Sequence, residues 1–231
     1  MPAVRPAPAE QPPTIPSGPA LYRRRGDIWA LVAGGAVLCT CMVVVRNGDV
    51  SGLEEAAFRA INGLPDELKA PMWAFQLFGM LATVAATAIV AFALRRRRLA
   101  IAIAAAIPLK LAMEWWVVKA LVERERPLYS VAEAIIRETN SARLGFPSGH
   151  SVFAFALAGL LAPHLGRRGQ ITVYTLAVLN GVARIYLGAH NPLDVVAGAG
   201  LGIAIAAALN LLGGAPARRV EPAHASETAP A

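Results

Sequence analysis

Charge is scarce in this chain. Only 16% of its 231 residues are Asp, Glu, Lys or Arg, against roughly 25% in a soluble globular domain. Hydrophobic residues make up 56% of it, and mean hydropathy is +0.50. A soluble fold would have too much apolar surface to hide, so an integral membrane protein is expected. Cysteine is nearly absent. Cys39 and Cys41 stand two apart in one apolar stretch, and a helix points such residues in different directions. That argues against a disulfide or a cysteine metal site. Acidic residues are outnumbered, 15 against 22 basic, for a formal charge of +7. The basic residues fall in short runs between apolar segments, with no aromatic-interleaved patch, so no nucleic-acid partner is expected. Runs of that kind mark the cytoplasmic ends of membrane helices.

The first twenty residues hold seven prolines and no apolar core. They predict a disordered, Pro-rich tail over 1–27. The pattern of a cleavable signal peptide is missing from it. Residues 214–231 are polar, with Ala and Pro, and predict a second flexible tail. Between the tails, 28–213 reads as one domain. Six segments are apolar enough to cross a bilayer: roughly Ile28–Val45, Pro71–Leu94, Leu99–Val118, His150–Leu165, Ile171–Leu187 and Leu193–Leu212. The expected fold is therefore an all-α, six-span membrane bundle.

Four arginine clusters orient it. Arg23–Arg25 precede the first span, Arg95–Arg98 join the second to the third, Arg167–Arg168 join the fourth to the fifth, and Arg218–Arg219 follow the sixth. With six spans all four lie on one face, which the positive-inside rule makes cytoplasmic, together with both termini. Three connections then face outward, at about 46–70, 119–149 and 188–192. The first, "SGLEEAAFRAINGLPDEL", alternates apolar and acidic residues at helical spacing and suits a helix lying along the membrane surface.

Chemistry-bearing residues gather at the outer ends of these spans. An Arg or Lys at mid-bilayer costs roughly 2.5–3.5 kcal/mol on insertion scales. Nevertheless Lys119 and Arg126 follow span three, Ser148, Gly149 and His150 open span four, Arg184 lies just inside span five, and His190 and Asp194 flank the start of span six. Three cations and the unpaired N–H groups of a helix start suit an anion with several oxygens, and phosphate is the natural guest. One histidine can attack phosphorus, and the other can protonate the leaving oxygen. Asp194, four residues after His190 with Asn191 as N-cap and Pro192 at the first helical position, can fold back onto that ring.

Three motifs carry a family resemblance. "KALVERERP" (Lys119–Pro127) fits K-x6-R-P, "PSGH" spans Pro147–His150, and "RIYLGAHNPLD" (Arg184–Asp194) fits R-x5-H-x3-D. In this order, on six spans, the chain resembles the type 2 phosphatidic acid phosphatase (PAP2) superfamily over about Ile28 to Leu212. That superfamily includes lipid phosphate phosphatases, polyprenyl diphosphate phosphatases and soluble vanadium haloperoxidases. The resemblance implies that Lys119, Arg126, Ser148, Gly149 and Arg184 hold phosphate. It further implies that His190 is the nucleophile forming a phosphohistidine, Asp194 its partner and His150 the general acid, with no metal or other cofactor. The family's third motif commonly opens Ser-Arg, where this chain has Ala183-Arg184. The expected activity is removal of phosphate from a lipid phosphate or diphosphate at the outer leaflet of the cell membrane. The Arg- and Ala-rich composition and brevity look bacterial, which favours undecaprenyl diphosphate. Phosphatidic acid and phosphatidylglycerol phosphate remain open. The alternatives are a lipid phosphotransferase of the same superfamily and a non-catalytic lipid-binding or transport protein.

Singly, these residues have plainer readings. FPSGHS alone caps a helix, Arg184 alone snorkels outward, and Asp194 alone complements a helix dipole. Other features keep plain readings throughout. Lys110 and Glu114 predict an ion pair within span three, and Trp115 and Trp116 predict an interfacial anchor. Glu123 and Glu125 suit loop salt bridges with Arg124 and Arg126. Gly198, Gly200 and Gly202 predict close helix packing.

Overall fold

The computed structural model describes residues 21–138 and 142–216. Of the tails assigned to 1–27 and 214–231, residues 1–20 and 217–231 lie outside the described residues, as do the side chains of Trp115 and Lys119. The architecture is helical. Among the described residues ten α-helices follow in order: α1 (Arg25–Val44), α2 (Gly52–Asn62), α3 (Lys69–Gln76), α4 (Leu81–Ala93), α5 (Arg97–Ala112), α6 (Lys119–Leu121), α7 (Pro127–Ser130), α8 (Gly149–Leu161), α9 (Arg167–Tyr186) and α10 (Pro192–Gly213). A two-residue antiparallel pairing, Leu21–Tyr22 with Ala215–Pro216, ties the two ends together. Helix α1 starts at Arg25, inside the stretch expected to be tail. Asp27 in its first turn is held by the Arg24 guanidinium at 2.8 Å, a favourable place for a carboxylate near the helix N-terminus.

All six expected spans are helical, but they differ in how well they suit a bilayer. By length and apolarity α1 and α10 qualify among the described residues, and the stretch through α3 and α4, bent by 54°, has the composition of either one broken span or a re-entrant loop. The others fall short for local reasons. Helix α5 gives way to a π-helical stretch, Met113–Val118, before α6 continues it. Helix α8 has only 13 residues, and α9 carries Arg167, Arg168, Asn180 and Arg184.

The main core joins α1, α4, α5, α8 and α10 through Leu38, Val84, Ile103, Val152, Leu157 and Leu201. Close backbone approach seals it. A Cβ on Gly34 would lie 2.6 Å from the Gly200 carbonyl oxygen, and one on Gly202 would lie 2.4 Å from that of Val152. The glycine run in α10 thus serves helix packing. Helix α2 is more than a surface helix. Glu54, Phe58 and Asn62, four apart, form a buried stripe, while Leu53 stays 84% exposed. The stripe turns α2 onto α9 and α10 and brings a carboxylate to the site below.

Candidate active site

The start of α8 is locked onto the start of α10. Ser148 is the N-cap of α8, its backbone N–H donates to the Asp194 carbonyl at 2.9 Å, and its Oγ accepts from Ser151 Oγ at 3.1 Å. A Cβ on Gly198 would meet the Ser148 carbonyl oxygen at 2.6 Å, so only glycine permits this contact. Gly149 lies against the Lys110–Glu114 ion pair: a Cβ there would stand 2.8 Å from Lys110 Nζ. The pair expected within span three thus exists, and it abuts the PSGH turn. Trp116 is 83% exposed, which suits the expected interfacial anchor.

The loop between α9 and α10 carries the second histidine. Gly188, with φ of 72°, ends α9 in the left-handed conformation that glycine adopts without strain. The Arg184 carbonyl accepts the N–H groups of Ala189 at 3.1 Å and His190 at 3.3 Å. Arg126 Nη1 donates to the Ala189 carbonyl at 2.8 Å and stands 3.3 Å from His190 Nε2. On the far side of the ring, Nδ1 is 3.6 Å from Asp194 Oδ2, which itself accepts the Asn191 N–H at 2.9 Å. The first gap is too long for a hydrogen bond. His150, in the first turn of α8, feels the charges of Arg184, His190, Lys110 and Arg126.

Of the eight residues expected at the site, the structure brings seven together: Arg126, Ser148, Gly149, His150, Arg184, His190 and Asp194. The backbone of Lys119 opens α6. Arg184 is fully buried and donates to Glu138 Oε2 at 2.5 Å and to Gln76 Oε1. Ala183, where the family commonly has serine, packs in an apolar cluster with Met72, Tyr186 and Leu187.

Burial sets the electrostatics. It pushes the His190 imidazole well below its ordinary 6.5, the charges of Arg126 and Arg184 add to the effect, and Glu114 and the Gly145 carbonyl oppose it. The ring is therefore neutral at neutral pH, as an attacking imidazole must be. Arg126 is lowered by burial and by its neighbour Arg184. Among the described residues, the buried Nε atoms of Arg126 and Arg184 have no hydrogen-bond partner. Unpaired buried donors are costly, and a phosphate oxygen is a suitable acceptor for them.

One cluster escaped the sequence reading. Arg124 does not make a loop salt bridge. It is fully buried and bridges Glu54 at 2.6 Å and Asp194 at 2.9 Å. Burial alone would lower its guanidinium, but Glu54 and Asp194 together raise it. Glu125 pairs instead with exposed Arg143. The signal was present in "ERERP". Residues 124–126 run extended against 143–145, with Arg126 N–H on the Arg143 carbonyl and Gly145 N–H on that of Arg124. Residues two apart in extended backbone share a face, so Arg124 and Arg126 turn inward together and Glu125 turns out.

The PAP2 superfamily model matches residues 95–215. The chain belongs to the PAP2 superfamily. Among its relatives, decaprenylphosphoryl-5-phosphoribose phosphatase of Mycolicibacterium smegmatis is 35% identical over 52% of this chain and 62% of its own length. Phosphatidylglycerophosphatase B of Bacillus subtilis is 33% identical over 38% of this chain and 45% of its own. The chain thus spans about half the length of these two relatives. The fold is similar to the crystal structure of a transmembrane PAP2-type phosphatidylglycerolphosphate phosphatase from Bacillus subtilis, with TM-score 0.63 and 21% identity over 79% of this chain and 94% of that one.

Proposed function

We propose that this PAP2 protein is an integral membrane lipid phosphatase that works through a phosphohistidine. The observation that carries the reading is the buried His190 ring, with Arg126 beside Nε2 and Asp194 facing Nδ1. Lys119, Arg126, Ser148, Gly149 and Arg184 hold the phosphate and spread its charge. In the first step His190 Nε2 bonds to phosphorus, the bond from phosphorus to the leaving oxygen breaks, and His150 gives that oxygen its proton. Asp194 holds the Nδ1–H. In the second step a water oxygen bonds to phosphorus, the P–N bond breaks and His150 takes the water's proton. Six spans put the arginine clusters and both termini in the cytoplasm, and the site at the extracytoplasmic face.

The substrate is a lipid phosphate or diphosphate, with undecaprenyl diphosphate as the best choice. Both relatives are named for lipid-linked phosphates, one of them on a decaprenyl chain. The test is phosphate release in detergent, with EDTA present, from undecaprenyl diphosphate, phosphatidic acid and phosphatidylglycerol phosphate. Release by the wild type that His190→Ala loses supports the reading. No release from any of the three overturns it, and favours transfer to an acceptor or lipid binding without chemistry.

A further inference from the structure

We propose that Arg124, held from behind by Glu54, is a positioning residue for the His190–Asp194 pair: it fixes the Asp194 carboxylate and sets the charge balance around the His190 ring. The inference rests on the proposed role of His190.

The geometry is a chain of buried charges. Arg124 Nη1 donates to Asp194 Oδ1 at 2.9 Å and to Glu54 Oε1 at 3.0 Å. Its Nη2 donates to Glu54 Oε2 at 2.6 Å and to the Asp49 carbonyl at 3.1 Å. Glu54 Oε1 also accepts the backbone N–H of Leu193 at 2.8 Å, in the first turn of α10. One guanidinium thus ties α2, the extended segment after α6 and the start of α10 to the same carboxylate. Arg124 and Asp194 are fully buried, and Glu54 nearly so. Apolar side chains of similar volume would brace these elements without the desolvation cost of three buried charges, so a bracing role alone does not explain the cluster. Asp194 divides its oxygens: Oδ1 takes Arg124, while Oδ2 takes the Asn191 N–H and faces His190. Arg124 therefore decides which oxygen the histidine meets.

Arg126 on the extended segment, Arg184 on α9 and Glu114 on the π-helical stretch act on His190 directly, His190 in turn acts on His150 of α8, and Asp194 of α10 faces the His190 Nδ1. One contact further out, Arg124 acts on Asp194, Glu54 of α2 on Arg124, Glu138 of the outer loop on Arg126 and Lys110 of α5 on His150. Removing the positive charge of Arg124 favours the imidazolium form of His190. Removing the negative charge of Glu54 disfavours it.

The test uses the full chain in detergent, as wild type, Arg124→Gln, Arg124→Lys and Glu54→Gln. Histidine-ring NMR gives the titration midpoint of His190, and kcat/KM for phosphate release is followed from about pH 4 to 9. The expected midpoint, and with it the acid limb of kcat/KM, rises by about one pH unit in Arg124→Gln and falls in Glu54→Gln. Lysine keeps the charge but cannot bridge both carboxylates in this fork geometry. Arg124→Lys therefore keeps the wild-type midpoint while kcat falls. A midpoint that stays put in Arg124→Gln and Glu54→Gln, whatever their rates, overturns the proposal. If Arg124→Gln does not fold, Glu54→Gln decides by the same criterion. Midpoints that move as expected, with no phosphate release by wild type, support the coupling and overturn the functional reading instead.

Discussion

Arginine plays two different parts at the two ends of this bundle. At one end Arg23, Arg25, Arg95–Arg98, Arg167 and Arg168 are exposed. At the other, Arg124, Arg126 and Arg184 are buried among carboxylates, carbonyls and a histidine. Composition does not distinguish the two sets; their surroundings do. An exposed guanidinium keeps its hydration and is held to one membrane face by the cost of crossing. A buried one keeps its charge only where partners replace that water, and its field is then screened far less. The first set suits orientation of the chain, and the second suits catalysis by charge.

The largest expected contrast between the ends comes from Arg184. Arg184→Gln removes a buried charge proposed to sit on the phosphate, and kcat is expected to fall by about 10²–10³-fold. Steady-state phosphate release checks it, and a loss below about tenfold would put Arg184 with the merely structural arginines.

The next contrast is one of pH dependence. The folded protein holds His190 well below 6.5, so between that value and the folded one the unfolded chain binds more protons. Stability then rises with pH. The contribution is complete above about pH 6.5 and drains away on acidification, by about 1.4 kcal/mol per pH unit. The melting midpoint in detergent is expected to fall between about pH 7 and pH 5, and to fall less in His190→Asn. Equal slopes in the two proteins would mean that the buried ring does not carry the effect.

The smallest effect is expected at the exposed pair. Arg143, 70% exposed at its side chain, bridges Glu125, only one residue from buried Arg124 and Arg126. Surface pairs are worth about 0–1 kcal/mol. Arg143→Ala should therefore shift the melting midpoint by no more than a few degrees and leave kcat within about twofold of wild type. A large loss would break the division between outward-facing and inward-facing charges along this segment.

The helical segments, the spacing of the arginine clusters between them and the identity of the motif residues were legible in the sequence. Long apolar runs have few other outcomes, and the three motifs retain their spacing however the helices pack. It did not settle how well each segment suits a bilayer, since α8 is short and α9 carries polar residues whose partners are distant in sequence. The partners of Arg124 come from packing alone. Glu54 lies 70 residues before it and Asp194 lies 70 after. Local pattern shows that Arg124 and Arg126 share a face, but not what that face meets. The same holds for α2, whose amphipathic stripe fits a membrane surface as well as a protein one. Packing against α9 and α10 turned Glu54 inward, and a buried carboxylate requires a cation, which Arg124 supplies.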